Sequence, residues 1–181
     1  MNPAPVAAGE VTLRPWRAGE AELYIRLRDE LVFRFTTEPP DLDRVRCRSN
    51  ILAALPDPHV APFAICAPGG DPVGNMAVSR RGKKAEISYW LAAEGRGRGW
   101  AKAALLAATA WAFSTWPLEA IELEIAVDNQ ASMGVAVAAG YRPAGLRLES
   151  ACGGPARLMR LTAAEAGAVS HRGGGGAPTI M

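Results

Sequence analysis

From Ile121 to Val127 the chain alternates cleanly, with Ile121, Leu123 and Ile125 on one side and Glu122 and Glu124 on the other. A period of two is the mark of a strand with one buried face. Val11 to Trp16 reads as an earlier strand, stopped by Pro15. Ala21, Leu23, Tyr24, Leu27 and Leu31 recur at helical spacing and predict a helix over 18–29. After a break at Thr36 to Pro40, Asp41 is the N-cap of a second helix that carries Val45, Ile51 and Leu52 to about Leu55, ended by Pro56, Pro58 and Pro62. Phe63 to Ala67, Pro72 to Ser79 and Ala85 to Leu91 are three strands joined by Pro68-Gly69-Gly70-Asp71 and Arg80-Arg81-Gly82-Lys83-Lys84, hence an antiparallel meander. An Ala- and Leu-rich helix runs from Ala101 to Ser114 and is closed by Pro117. Asp128-Asn129 opens a short helix to Ala139, Gly140 takes its C′ position, and Tyr141 begins a further strand before a last one over Ala156 to Leu161. Residues 1–10 read as a flexible N-terminus, 11–162 as a single domain, and 163–181 as a flexible tail that includes the Gly173–Gly176 run.

A length of 181 residues, about half of them hydrophobic, suits one domain with a sizeable core. The net charge of +2 and the lack of a dense Lys/Arg run exclude nucleic acid as the expected partner. Cys47, Cys66 and Cys152 are odd in number and widely spaced, giving neither a disulfide framework nor a metal motif, and a reducing cytoplasm is expected. The N-terminus does not read as a signal peptide, and the longest apolar run, Ala103 to Phe113, falls short of the roughly 20 residues of a spanning helix, so no membrane association is expected. The basic cluster Arg80 to Lys84 is a solvated hairpin tip or a contact for an acidic substrate or a cofactor phosphate.

The chemistry is concentrated between the third meander strand and the long helix, in Glu94-Gly95-Arg96-Gly97-Arg98-Gly99-Trp100-Ala101. Glycines at alternate positions permit a tight loop with positive φ. The first N–H groups of the following helix have no intrahelical partner, and with the helix dipole they form a cradle for pyrophosphate. Arg96, Arg98 and Lys102 add positive charge. The spacing is not that of a P-loop. Nor is it a dinucleotide fingerprint, because the third glycine would fall on Trp100, and Asp128, at the end of the next strand, lies too far away.

The pattern Arg96-x-x-Gly99-x-Ala101 resembles motif A of the GNAT superfamily of acyl-CoA N-acyltransferases. Asn129-x-x-Ser132, followed by Gly140-Tyr141, resembles the signature of the branch that acetylates ribosomal-protein N-termini. The order of predicted elements from Val11 to Leu161 is similar to that fold. The resemblance implies an α+β (mixed α/β) GNAT fold, with a mostly antiparallel splayed sheet of six or seven strands and four helices. It implies acetyl-CoA as acyl donor, no metal, a primary amine as acceptor, and a monomer or homodimer. The pantetheine arm would lie along Tyr89-Trp90-Leu91, where the strand parts from its neighbour and its backbone pairs with the arm's amides. Gly97 to Lys102 (Gly97, Arg98, Gly99, Trp100, Ala101, Lys102), headed by Arg96, would hold the pyrophosphate, and Asn129 would touch the pantetheine or thioester end or cap its own helix.

Acetyl transfer to an amine needs a neutral nucleophile, a stabilised oxyanion and a protonated leaving sulfur. The oxyanion falls to a backbone N–H near Leu91. Many relatives carry a tyrosine seven residues after the motif asparagine; here that residue is Ala136. Ser132 is then the candidate to protonate or position the thiolate, with Tyr141 in reserve or simply core. Glu124, five residues before Asn129, is the candidate base and Glu86 its competitor; either glutamate equally suits a solvated strand face. His59 and His171 receive no role. An α-amine, with a pKa of about 7.7–8.0, demands less of a base than a lysine at about 10.4. Three functions follow: acetylation of peptide or protein N-termini, acetylation of a small amine such as an antibiotic or polyamine, and a non-catalytic acyl-CoA-binding module. Thr36-Thr37-Glu38 hints at a polar acceptor pocket.

Overall fold

The computed structural model describes residues 3–151 and 153–172. Its strands are β1 (Val6–Ala8), β2 (Val11–Pro15), β3 (Val60–Cys66), β4 (Pro72–Arg81), β5 (Lys84–Leu91), β6 (Ala120–Ala126), β7 (Arg142–Arg147) and β8 (Ala156–Thr162). Its helices are α1 (Ala21–Arg26), α2 (Glu30–Phe35), α3 (Arg44–Ala54), α4 (Trp100–Thr115), α5 (Gln130–Ala138) and α6 (Ala163–Arg172). The strands form one eight-stranded sheet in the order β1-β2-β3-β4-β5-β6-β8-β7. Every pairing is antiparallel except β5–β6. A parallel pair cannot be joined by a tight turn, and α4 is its crossover.

Both faces of the sheet are covered. Phe63, Ile65, Met76, Val78 and Ile87 pack with Ala104, Leu105, Ala108 and Ala112 of α4 in the main core. Ala64 and Cys66 turn to the other face, where they meet Trp16, Cys47 and Ile51. The Ala-rich stripe of α4 lets its backbone approach the sheet closely, which places the N-terminus of α4 against the end of β5.

The expected mixed α/β class holds, with corrections at both ends and near the start. Residues 6–8, read as loose, form β1, which pairs Val6 with Leu13 and Ala8 with Val11 and so covers the edge of β2. The tail read as flexible from 163 begins instead as α6. Its first turn is closed by a capping box, in which Glu165 Oε2 accepts from the Thr162 N–H at 2.9 Å and Thr162 Oγ1 accepts from the Glu165 N–H at 3.3 Å. Gly173–Gly176 and Cys152 lie outside the described residues. The single helix expected over 18–29 is broken: Asp29 turns extended and becomes the N-cap of α2, accepting from the Val32 N–H at 3.2 Å. No helix among the described residues is long and apolar enough to cross a membrane.

Candidate active site

The parallel pairing of β5 and β6 lasts for three residues only, Lys84 with Ala120, Ala85 with Ile121 and Glu86 with Glu122. Beyond Glu86 the strands part, while β5 stays bonded to β4 up to Leu91. From Ile87 to Leu91, therefore, one edge of β5 has no strand partner, and a cleft of about 730 Å³ opens there. Its floor is β5 from Glu86 to Leu91. One wall is the end of α2 with Thr36, Thr37 and Glu38; the other is β6 and α5 with Glu124, Asn129 and Ser132. Gly97, Gly99, Ala101 and Lys102 line its far end. Across the walls, Arg34 of α2 pairs with Asp128 at 2.7 Å, both well exposed.

Gly99, at φ 77°, is the N-cap of α4. The Ala103 N–H is bonded back to the Gly99 carbonyl, at 3.1 Å, as the first i to i−4 bond of α4. The N–H groups of Trp100, Ala101 and Lys102 are thus available to an anion at the cleft's end. The space beside Gly97 and Gly99 is open. A cradle of free donors at one end and an unpaired strand edge along the floor fit the two parts of coenzyme A that need them, the pyrophosphate and the amide-bearing arm.

The three cations expected to add charge here behave differently. Arg96 is already paired, in a two-pronged bond to Asp29 at 2.7 and 2.8 Å that ties the cradle to the start of α2. Arg98 is folded back, donating to the Glu94 carbonyl at 3.0 Å with its guanidinium 5.1 Å from the Trp100 ring centre, and it lines a separate hollow beside Asp71 and Glu94. Lys102 is exposed and forms no ion pair among the described residues. Trp100 contributes backbone only: its ring is buried and its indole N–H donates to Glu10 at 3.3 Å.

The Arg96–Asp29 pair gives a pH prediction. The hydrogen bond from Arg96 holds the Asp29 carboxyl below its ordinary value, aided by the Val32 N–H and opposed by desolvation. A depressed folded-state value contributes stability that is present above the ordinary pKa of about 3.9 and is lost as pH falls through the lower one. Each side chain is about a third exposed, so solvent screening limits the pair to under about 1 kcal/mol. Acid titration of Tm should show Asp29→Asn losing less than wild type between about pH 4 and pH 2. Equal losses would mean the pair contributes nothing.

Of the catalytic candidates, Glu124 is engaged on both oxygens: Arg147 of β7 lies 3.1 Å from Oε2, and Oε1 accepts from the Ala151 N–H at 3.1 Å. Glu86 is exposed and lines the cleft, and its carboxylate has no hydrogen bond or ion pair among the described residues. Asn129 caps its own helix, its Oδ1 accepting from the Ser132 N–H at 3.0 Å, and it lines the cleft as well. Ser132 Oγ lies 2.9 Å from the hydroxyl of Tyr89, which reaches across the gap from β5. Tyr141 is buried and bonded to Thr109 Oγ1 at 2.7 Å, a core position. Ala136 is fully buried.

The sequence reading pointed to Glu38 within Thr36-Thr37-Glu38 but missed its partners, and it missed one further contact. Glu38, on the cleft wall, is held by three donors, the Tyr24 phenol, the Trp90 indole at 3.1 Å and Arg28 at 3.4 Å. Burial, then the Glu38 charge, pushes the Tyr24 phenol far up, so it stays a donor. The Tyr89–Ser132 bond was missed too. A tyrosine on a half-buried strand carries no sign that its hydroxyl meets a serine 43 residues on.

The profile of the acetyltransferase (GNAT) domain matches residues 10–142, which is well over half of the chain. The chain belongs to the GNAT acetyltransferases. It is an acyl-CoA N-acyltransferase, and coenzyme A is the carrier it uses. This acetyltransferase is similar to solved structures across nearly its full length. RimJ from Mycobacterium smegmatis, in complex with CoA-disulfide, is 26% identical with a TM-score of 0.76, covering 94% of this chain and 93% of that one. Spermidine N-acetyltransferase from Vibrio cholerae, in complex with CoA and spermine, is 18% identical with a TM-score of 0.77 over 87% and 98%. RimL, a ribosomal L7/L12 alpha-N-protein acetyltransferase in complex with coenzyme A, is 15% identical with a TM-score of 0.79 over 88% and 98%. No curated protein matches the sequence.

Proposed function

We propose that this acetyltransferase moves an acetyl group from acetyl-CoA to the α-amino group of a peptide or protein N-terminus, by direct attack of the amine on the thioester. The observation that carries the reading is the parting of β5 and β6 beyond Glu86, with the α4 cradle at its far end. The donor enters from the cradle and the acceptor from the side of α2 and Glu38. Asn129 and Ser132 support an α-amine acceptor, since they match the signature of the N-terminal branch, and the likeness to RimJ agrees. Acetyl-CoA chemistry and the free, buried thiols of Cys47 and Cys66 suit a reducing cytoplasm.

A small cationic amine is the second reading, favoured by the carboxylates of Glu38, Glu86 and Glu124 along the cleft. Release of free thiol from acetyl-CoA separates the two. Peptides with a free N-terminus should be turned over, and the same peptides N-terminally blocked but carrying a lysine should not. Turnover of spermidine with none of the peptides would replace the first reading by the second.

For the base, the geometry favours Glu86, because Glu124 is held by Arg147 and the Ala151 N–H. Glu86→Gln should remove the acidic limb of the kcat/KM profile and lower the rate by about 10²-fold or more, while Glu124→Gln should keep that limb. The opposite pattern would return the role to Glu124. If both variants keep it, the amine arrives neutral or loses its proton to water.

A further inference from the structure

Ser132 sits in the first turn of α5, its backbone fixed by the Asn129 cap. A serine at such a place commonly turns its hydroxyl back to the local backbone. Here the recorded partner of Ser132 Oγ is the Tyr89 hydroxyl at 2.9 Å. Tyr89 stands on β5 three residues past the last β5–β6 pair, within the gap, and both residues line the cleft. The bond therefore spans the slot that the resemblance assigns to the thioester end of the donor.

A serine hydroxyl alone is a poor acid for this task. Giving its proton to a leaving thiolate, of pKa about 8.5 by analogy with cysteine, would leave a far more basic alkoxide. That cost falls if a second proton follows, because the charge then rests on a phenolate, which is far less basic than an alkoxide. Resting on the proposed role of Ser132, we propose that Tyr89 is a positioning residue for the leaving group: its phenol donates to Ser132 Oγ, which frees the serine proton to face the sulfur and replaces it as it leaves. The phenol is the more acidic of the two hydroxyls and so the better donor of the pair. Donation into Ser132 Oγ polarises the serine O–H, as in any chain of hydrogen bonds. Burial pushes the Tyr89 phenol above its ordinary value, against the pull of the Ser132 bond, so it remains protonated at neutral pH.

The step balances. As the tetrahedral intermediate collapses, the C–S bond breaks and its electron pair stays on sulfur. The Ser132 proton passes to sulfur, and the Tyr89 proton passes to Ser132 Oγ. The proton that Glu86 takes from the acceptor nitrogen returns to Tyr89 through water. One N–H is lost, one S–H is gained, and both hydroxyls end as they began. The pair thus takes over the work of the tyrosine that the family pattern places at position 136, where this chain has the buried Ala136.

The test is a double-mutant cycle on the full chain with acetyl-CoA and a turned-over amine. Ser132→Ala should lower kcat by about 10²-fold. Tyr89→Phe, which keeps the ring, should lower kcat about tenfold, with the KM for acetyl-CoA, the calorimetric affinity for coenzyme A and Tm unchanged. The double variant should be no slower than Ser132→Ala, because the phenol acts only through the serine. Tyr89→Phe with wild-type kcat beside an impaired Ser132→Ala would overturn the relay and leave the serine role standing. Losses that multiply in the double variant would overturn it too, as would a parallel change in coenzyme A affinity. A silent Ser132→Ala would sink both the relay and the role of Ser132.

Discussion

Gly99→Asp should weaken the binding of coenzyme A on the order of a hundredfold while leaving the fold intact. Gly99 has φ 77°, and a Cβ there would meet no atom within 4 Å, so nothing steric opposes the side chain. The left-handed conformation is among those aspartate tolerates better than most residues, which keeps the backbone cost near 1 kcal/mol. What the variant cannot escape is charge. A carboxylate at the N-cap of α4 would occupy the positive end of the helix, where the pyrophosphate is to sit. At about 4–5 Å, and with the effective dielectric of a protein surface, two like charges repel by about 3 kcal/mol, or roughly a hundredfold in Kd. Gly99→Asn has nearly the same shape and no charge, so it should lose less than about tenfold. Calorimetry with coenzyme A decides the matter. Equal losses for the two variants would mean that shape rules the cradle, and an unchanged affinity in both would remove the pyrophosphate from this loop.

Gly74→Ala should lower Tm by about 10 °C. Gly74 of β4 pairs with Leu91 of β5, and a Cβ on it would stand 2.3 Å from the Trp90 carbonyl oxygen and 2.7 Å from Leu91 Cδ2. The nearer of these is backbone and cannot swing aside. Nor is Trp90 free to shift, since its indole is bonded to Glu38 and its ring packs edge-on against Tyr24 at 5.3 Å. Overpacking of this kind costs about 3 kcal/mol or more, and in a chain of this length each kcal/mol is worth about 2–4 °C. The displaced strand is also the one that lines the cleft, so the KM for acetyl-CoA should rise as well. A thermal melt within about 2 °C of wild type would show that β4 yields at little cost.

Much of this molecule was legible because its signals are local. The alternation of Ile121, Leu123 and Ile125 against Glu122 and Glu124 depends only on neighbours, and β6 carries the pattern as read. Gly140, at φ 92°, follows α5 as the C′ glycine it was taken for. The three-glycine turn stands where it should, between β5 and α4. Some local signals were present and outweighed. Thr162-Ala163-Ala164-Glu165 is a capping box ahead of α6, hidden by the glycine-rich sequence that follows it. Asp29 is a helix N-cap that the apolar spacing of Leu27 and Leu31 carried the reading straight across. The remaining differences are long-range. Arg96 reads as a phosphate ligand until Asp29, 67 residues away, is seen to hold it. Nothing in the spacing tells Glu124 from Glu86, because what separates them is Arg147 on a strand reached only through the sheet order β6-β8-β7.

The short join between β5 and β6 also shapes how sequence change accumulates. Strands β1 to β5 form one antiparallel run and β6, β8 and β7 another, with three paired residues and the crossover α4 between them. Substitutions well inside one run share few partners with those in the other, and their effects on stability add. Along the seam they do not: Glu86, Tyr89, Glu122 and Ser132 face each other across it, and a change in one resets what its counterpart can do. The two runs can therefore drift apart in sequence almost independently, while the residues that meet at the seam are constrained to change together.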